Sequence, residues 1–290
     1  MWVSDNWKDY ALLDATDGER LEMWGKYSLI RPDPQVIWQN ERRHALWQRA
    51  DASYHRSRGG GGAWGENRLP EKWTVSYGPL RFLIKPMGFK HTGLFPEQAT
   101  NWDWFSELIR RAGRPIKVLN LFAYTGGATV AAAAAGASVC HVDAAKGMVA
   151  AAKENAALSG LSDAPIRYIV DDCRKFMERE LRRGNRYDGI ILDPPSYGRG
   201  PTGEVWKIEE SIDAFVALSA KLLTEKPLFF LLNSYTTGLS ASAMRYITDL
   251  RIARGRGGQS EADEIGLRVL ETGLALPAGS SVRCTFNERN

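Results

Sequence analysis

Apolar and polar positions follow two different patterns along this chain. Up to about residue 85 the apolar residues come in short alternating runs, ERLEMW, KYSLIR, WTVSYG and RFLIK, broken by PDP and by the tract RSRGGGGAWGENRLP. Alternation over five or six residues between turn signals predicts short, half-buried strands, and hence a small β-rich domain over residues 1–85. The glycines 59–62 predict a flexible loop within it. From Ile116 onward wholly apolar runs alternate with helical ones. Helices are predicted over 127–135, 145–158, 173–182, 205–223 and about 241–253. The strands between them are apolar on both faces, as a sheet covered on both sides requires. The expected fold class for residues 86–290 is therefore α/β, a doubly wound and mostly parallel sheet. Two late strands, 267–271 and 281–286, would close it as an antiparallel hairpin. The stretch RIARGRGGQSEADE reads as a polar connection whose Arg251, Arg254 and Arg256 could touch phosphate.

Composition narrows the class. At 290 residues and 44% apolar the chain can bury a full core and fits one large domain beside a smaller one. Three cysteines without paired spacing and four scattered histidines give neither a disulfide framework nor a zinc motif, so no metal is expected. No apolar run reaches membrane-spanning length, and the start MWVSDNWKDYALLD lacks a basic n-region and an apolar h-region, so a cytoplasmic location is expected. Arg42, Arg43, Arg49, Arg56 and Arg58 are interleaved with Trp47, Tyr54 and Trp64. That mixture suits phosphate neutralisation and base stacking, and equally a solvated basic face over core aromatics.

The chemistry concentrates in IKVLNLFAYTGGATVAAAAAGASVCHVD, residues 116–143. An apolar strand, a Gly turn, a small-residue helix and a second strand ending in Asp143 form a unit whose acid can take both hydroxyls of a ribose. A dinucleotide site needs G-x-G-x-x-G to cradle a pyrophosphate, but the turn here reads Phe122-Ala123-Tyr124-Thr125-Gly126-Gly127. S-adenosylmethionine carries adenosine without phosphates and suits this turn better, and a nicotinamide oxidoreductase is disfavoured. A third strand is followed by Asp171 and Asp172, and a fourth by Asp193-Pro194-Pro195-Ser196-Tyr197. Parallel strands would bring Gly126, Asp143, Asp172 and Asp193 to one crevice. Asp172 could accept the adenine amino proton, with the Cys173 N–H opposite a ring nitrogen, or one acid of the pair could cap the next helix. The two prolines would make DPPSY a rigid, extended turn with outward carbonyls.

In this order LNLFAYTGG, HVDAAKG, DDC and LDPPSYG, preceded by HTGLFPEQATNWDW, resemble the class I, Rossmann-like S-adenosylmethionine-dependent methyltransferases that act on large-subunit 23S rRNA. That family includes cytosine-C5 and guanine-N7 enzymes, and the resemblance covers about residues 75–285. It implies Phe122, Tyr124, Thr125 and Gly126 around the methionine and ribose, Asp143 and Ala144 at the ribose, and Asp172 and Cys173 near adenine. It also implies Asp193 and Pro194 near the methyl group and Phe95 and Gln98 over the cofactor, with RNA as substrate. Asp193, Pro194 and Tyr197 are the expected catalytic group, with Asn233 and Ser234 also able to reach the acceptor. Two departures stand out: Ala99 replaces an Arg common in relatives, and no Cys occurs in LDPPSYG or LLNSYTTG. Cytosine-C5 methylation needs a thiolate that adds to the ring, so transfer to a nitrogen is expected instead. The alternatives are a small-molecule methyltransferase and a non-catalytic RNA-binding or assembly protein that keeps a cofactor site.

Overall fold

The computed structural model describes residues 1–57, 61–65, 68–88, 90–199 and 205–286. Arg58 and Gly59–Gly60 of the basic, Gly-rich tract lie outside them. The chain forms two compact units, Met1–Thr100 with Ile265–Ala278, and Asn101–Glu264 with Gly279–Asn290. Residues 86–100 and 265–278 thus pack with the N-terminal stretch, although sequence pattern groups them with the α/β segment beyond residue 85.

In the first unit β1 (Trp2–Ser4) runs parallel to a later strand, pairing Trp2 with Ile265. A five-stranded sheet comes next: β2 (Tyr10–Thr16), β3 (Glu19–Trp24) and β4 (Tyr27–Pro32) as an antiparallel meander, then β5 (Ala52–Arg56) and β6 (Gly62–Trp64). A separate hairpin joins β7 (Trp73–Tyr77) to β8 (Leu80–Ile84). Asp17 and Gly18, at φ 52° and 75°, make the two-residue turn between β2 and β3, the D-G signal of a hairpin that twists with its strands. Glu22 is fully buried, with Arg31 donating to both its oxygens at 2.6 and 2.7 Å and the Tyr10 hydroxyl donating at 2.8 Å. Burial alone would raise its carboxyl, but the Arg20 and Arg31 guanidiniums outweigh that and hold it at about 2. The tryptophans tie distant segments together: indole N–H groups of Trp7, Trp38, Trp64 and Trp73 donate to the carbonyls of Pro96, Ala15, Met87 and Trp24. Indoles bury large apolar area while satisfying one polar atom, so they suit a small unit with little core.

The second unit begins in α1 (Ala99–Arg111) and alternates strand and helix: β9 (Lys117–Leu121), α2 (Gly127–Ala134), β10 (Ser138–Asp143), α3 (Lys146–Leu158), β11 (Ile166–Val170), α4 (Cys173–Arg182) and β12 (Gly189–Leu192). A small hairpin, β13 (Tyr197–Arg199) and β14 (Val205–Lys207), leads into α5 (Ile208–Ala220), β15 (Phe229–Ser234) and α6 (Ala241–Thr248). The helix predicted over 205–223 therefore starts later, because Val205–Lys207 pairs with Tyr197–Arg199. A π-helical turn, Asp249–Ala253, comes directly after α6. The long strands β16 (Gly258–Arg268) and β17 (Ala275–Phe286) come last, and each passes from one unit into the other. Much of RIARGRGGQSEADE, expected as a connection, is thus helical turn and strand, and its Arg251 is held by Asp213.

The eight-stranded sheet has the order β1, β16, β17, β15, β12, β9, β10, β11. The five strands from β15 to β11 are parallel, and β17 is antiparallel to β15. The buried residues of β9, β12 and β15 and the apolar faces of α4 and α5 make one continuous core around Phe176, Phe215 and Phe230. No helix among the described residues is long and apolar enough to cross a membrane.

Candidate active site

Strand register brings the expected tips level. Leu121 pairs with Val142 and with Leu192, and Asp143 pairs with Val170, so β9, β10, β11 and β12 end along one edge. Their first residues beyond the sheet are tied together by backbone hydrogen bonds from Ala123 N–H to Val142, from Asp171 N–H to Asp143, and from Asp193 N–H to Leu121. Gly126, Asp143, Asp172 and Asp193 are placed at the carboxyl ends of neighbouring strands, where open α/β sheets form their crevice.

The turn after β9 holds Phe122 and Tyr124 at φ 56° and 50°, in the left-handed region. For residues with side chains this costs on the order of 1–2 kcal/mol each, so something must over-determine it. Each N–H is anchored from the next strand ends. Phe122 N–H donates to Cys173 Sγ at 3.3 Å and Tyr124 N–H to Asp143 Oδ2 at 2.9 Å. Asn155 Nδ2, buried in α3, donates to the Thr125 carbonyl at 2.8 Å. The glycines do not leave open space. A Cβ at Gly126 would stand 2.7 Å from Ala152 Cβ, and one at Gly127 2.7 Å from the Trp102 ring. Both positions are glycine because α1, α2 and α3 close on the turn.

Asp143 is half-buried, with Oδ1 accepting the Ala145 N–H at 2.8 Å. Each carboxylate oxygen has one backbone donor and retains further acceptor capacity toward solvent. Ala144 beside it is exposed. Asp172 takes the capping role: its Oδ1 accepts the Lys175 N–H at 2.9 Å at the start of α4. Cys173 is buried, and burial pushes its thiol far above the ordinary range. Asp193 is half-buried and Pro194 buried, while Pro195, Ser196 and Tyr197 are exposed, Tyr197 by 52%. Of the carbonyls expected to point outward from this turn, that of Pro195 accepts the Trp206 indole N–H at 2.6 Å. That bond fastens DPPSY to the adjoining β13–β14 hairpin. Thr236, in the loop after β15, donates its hydroxyl to Ser196 Oγ at 2.6 Å.

Asn233 and Ser234 lie at the end of β15 but are buried. Asn233 Oδ1 accepts from Ser281 Oγ at 2.7 Å and Asn101 Nδ2 at 3.2 Å, and Arg283 Nε donates to Asn101 Oδ1 at 2.9 Å. This network fixes the end of the sheet and removes Asn233 from the groups that would face an acceptor. Sequence pattern also misses a buried polar chain under the turn, Asn120 Nδ2 to Thr129 Oγ1 at 2.9 Å and Thr129 Oγ1 to His141 Nδ1 at 2.9 Å. Desolvation lowers the His141 imidazole to about 4, so it is neutral there. A polar residue in the middle of an apolar strand, NL in β9 and CH in β10, is the signal that could have found it. The remaining thiols, Cys140 and Cys284, are buried and pushed up to about 11.

Phe95 and Gln98 belong to the first unit, Phe95 half-buried before the short helical turn Pro96–Gln98 and Gln98 buried within it. The aromatic residues of the basic run turn inward. Trp47 is buried and donates to Asp14 Oδ2 at 2.8 Å, and Tyr54 is buried against Trp64, ring centroids 5.4 Å apart. Of the two readings open in the sequence, Trp47 and Tyr54 thus follow that of core aromatics, and Trp64 is half-buried. Arg42 is paired with Glu19 and Arg43 with Glu41.

Comparison with known proteins places this arrangement. Residues 38–208 match the model of the S-adenosylmethionine-dependent methyltransferase family. A SAM-dependent methyltransferase from Agrobacterium tumefaciens superposes with TM-score 0.92 at 38% identity, over 98% of this chain and 93% of that one. A methyltransferase candidate complexed with S-adenosylhomocysteine shares the fold, with TM-score 0.76 at 18% identity over 97% of this chain and 76% of that one. The Ribosomal RNA large subunit methyltransferase K/L of Shewanella sp. (strain MR-4) is 34% identical over 150 residues, 51% of this chain and 20% of that protein. The chain thus matches about a fifth of the length of the curated relatives. With level strand tips, an acid at the end of β10 and a Rossmann-like sheet closed by an antiparallel strand, the chain belongs to the S-adenosylmethionine-dependent methyltransferases.

Proposed function

We propose that this methyltransferase modifies a base of large-subunit ribosomal RNA, 23S rRNA, at a nitrogen atom, and that it does so in the cytoplasm. The RNA part is supported by the curated relatives, named for the large-subunit ribosomal RNA on which they act. The observation that carries the nitrogen is the condition of the thiols: Cys140, Cys173 and Cys284 are all buried and all pushed toward the protonated form. A thiolate that adds to a pyrimidine must be accessible and ionised. An aromatic nitrogen already carries its lone pair and needs no such partner.

Asp143 is suited to the ribose: each of its oxygens has one acceptor site left after the Tyr124 and Ala145 bonds, which matches two vicinal hydroxyls. The anchored turn of Phe122, Tyr124, Thr125 and Gly126 would border the methionine part. Asp172 and the first turn of α4 would border adenine, with the Asp172 carboxylate shared between cap and ligand. Bound S-adenosylmethionine supplies an electrophilic methyl on a good leaving group, so the protein's task is to hold the acceptor in line with it. Asp193 and the Pro194 carbonyl would orient the edge of the base by accepting its amino protons, and the exposed ring of Tyr197 would stack on its face. The Trp206 bond to Pro195 and the Thr236 bond to Ser196 hold that turn rigid while the base is in place. A base within a helix would first have to be extruded.

Mass spectrometry of 23S rRNA nucleosides from cells with and without the protein tests this reading. One N-methylated nucleoside should disappear and return on complementation with the wild-type chain but not with Asp193→Ala. An unchanged rRNA profile, with equal turnover of free nucleosides and structured RNA in vitro, would favour a small-molecule methyltransferase.

A further inference from the structure

The first unit carries a solvent-open concavity of about 310 Å³ beside β5. It is lined by Arg49, His55 and Arg68, all exposed, together with Gln48 and Ser53. Buried Trp47, its indole N–H turned inward to Asp14, forms part of the floor. Arg68 lies well beyond the basic run of the sequence, and two backbone hydrogen bonds bring its segment there. Gly65 N–H donates to the Ser53 carbonyl at 2.8 Å and Arg68 N–H to the Asp51 carbonyl at 3.0 Å.

The charge balance at this place is one-sided. Among the described residues, none that lines the concavity is acidic. Arg42 and Arg43 have carboxylate partners, whereas among the described residues no ion pair engages Arg49 or Arg68. The carboxylate of neighbouring Asp51 is turned to the Ser28 segment, its Oδ2 accepting from the Ser28 N–H at 2.8 Å and the Ser28 hydroxyl at 2.9 Å. Two guanidiniums around a concavity with amide, hydroxyl and imidazole groups can hold phosphate oxygens by paired hydrogen bonds and reach the neighbouring sugar.

We propose that this concavity is a phosphodiester-binding subsite that anchors the RNA substrate by its backbone, a deepening that rests on the RNA reading above. It recognises charge and ribose-phosphate shape, not base sequence, because the one tryptophan that lines it, Trp47, is buried and offers no open face for stacking.

The test uses the full chain and a fluorescein-labelled single-stranded RNA of about 20 nucleotides, with affinity read by anisotropy over a range of KCl concentrations. Each phosphate contact contributes a log–log slope of about −0.7, so Arg49→Ala/Arg68→Ala should flatten the slope by about 1.4 and weaken binding about tenfold near ~100 mM KCl. Arg182→Ala/Arg186→Ala removes the same charge from exposed positions of the second unit and should leave the slope unchanged. S-adenosylhomocysteine affinity by calorimetry should be the same in all three proteins. Steep, equal slopes in the wild type and the first double variant would overturn the subsite and leave the RNA reading standing. Equal flattening by both double variants would show diffuse charge instead of a site. Competition by inorganic phosphate or polyglutamate as effective as that by RNA would assign the concavity to free anions or acidic peptides. Absence of RNA binding by the wild type would overturn the subsite and the RNA reading together.

Discussion

The backbone N–H of Tyr124 donates to Asp143 Oδ2 at 2.9 Å, so the acid at the end of β10 helps hold the left-handed turn after β9. Removing the carboxylate therefore acts twice, on the ligand and on the turn. Asp143→Ala should weaken S-adenosylhomocysteine binding by on the order of 2–3 kcal/mol, about 30- to 150-fold. Asp143→Asn, which keeps one acceptor oxygen, should fall in between. Calorimetry showing equal affinity for wild type and Asp143→Ala would remove Asp143 from the site.

Gly126 sits at φ 82° with Ala152 pressed against it. Gly126→Ala should destabilise the protein by on the order of 2–4 kcal/mol, part from the left-handed backbone and part from overlap with Ala152. Adding Ala152→Gly should return the overlap share only. Urea unfolding of the single and double variants separates the two, and no recovery in the double variant would refute the packing argument.

His141, hydrogen-bonded to Thr129, gives stability a pH dependence. Its folded value is about 4 against 6.5 for the free side chain, because burial penalises the charged ring. Above 6.5 both states are neutral and the group is silent. Between 6.5 and about 4 the unfolded chain takes a proton that the folded one resists, so stability falls with pH by up to on the order of 3 kcal/mol. Replacement by Gln should flatten the urea midpoint over that window, at some cost at neutral pH. A wild-type midpoint constant from pH 7 to 5 would contradict this.

Glu22 acts in a lower window. Its folded value of about 2 lies below the ordinary 4.5, so its contribution is complete above 4.5 and is lost as pH falls toward 2. Glu22→Ala leaves Arg31 buried without its bidentate partner and should cost about 3–5 kcal/mol at neutral pH. Thermal unfolding within about 1 kcal/mol of wild type would show that the arginines find other partners.

No covalent adduct should form during turnover. Replacing Cys140, Cys173 and Cys284 by Ser together should leave methyl transfer measurable once circular dichroism confirms the fold, and RNA containing 5-fluorocytosine should not be trapped. A denaturant-stable protein–RNA band would point to cytosine-C5 chemistry.

Periodicity and strand-end chemistry made part of this molecule legible in its sequence. The helices after β9, β10 and β11 and the level tips at Asp143 and Asp193 come from apolar runs that can only be parallel strands covered on both faces. The illegible part depends on contacts between distant segments. Val205–Lys207 reads as the start of a helix, but hydrogen bonds to Tyr197–Arg199 override its propensity. The role of Cys173 as acceptor for Phe122 needs the register of two strands, and Trp47 could not be sorted into core or surface until Asp14 was seen beneath it. Arg68 joins the basic run only through its backbone bond to Asp51, a contact that charge spacing along the chain does not encode.

The long strands β16 and β17 carry residues 265–278 back to the first unit, where Ile265 pairs with Trp2 and Leu270 N–H donates to Leu12. The first unit is therefore no cassette. Its gene segment cannot be excised at residue 100 and expressed, swapped between relatives or deleted cleanly, because the piece would lose the strand residues that pair with Trp2–Ser4 and the backbone partner of Leu12. A split of the protein at residue 100 would work only as a complementation pair, because the second fragment has to supply residues 265–278 to the first.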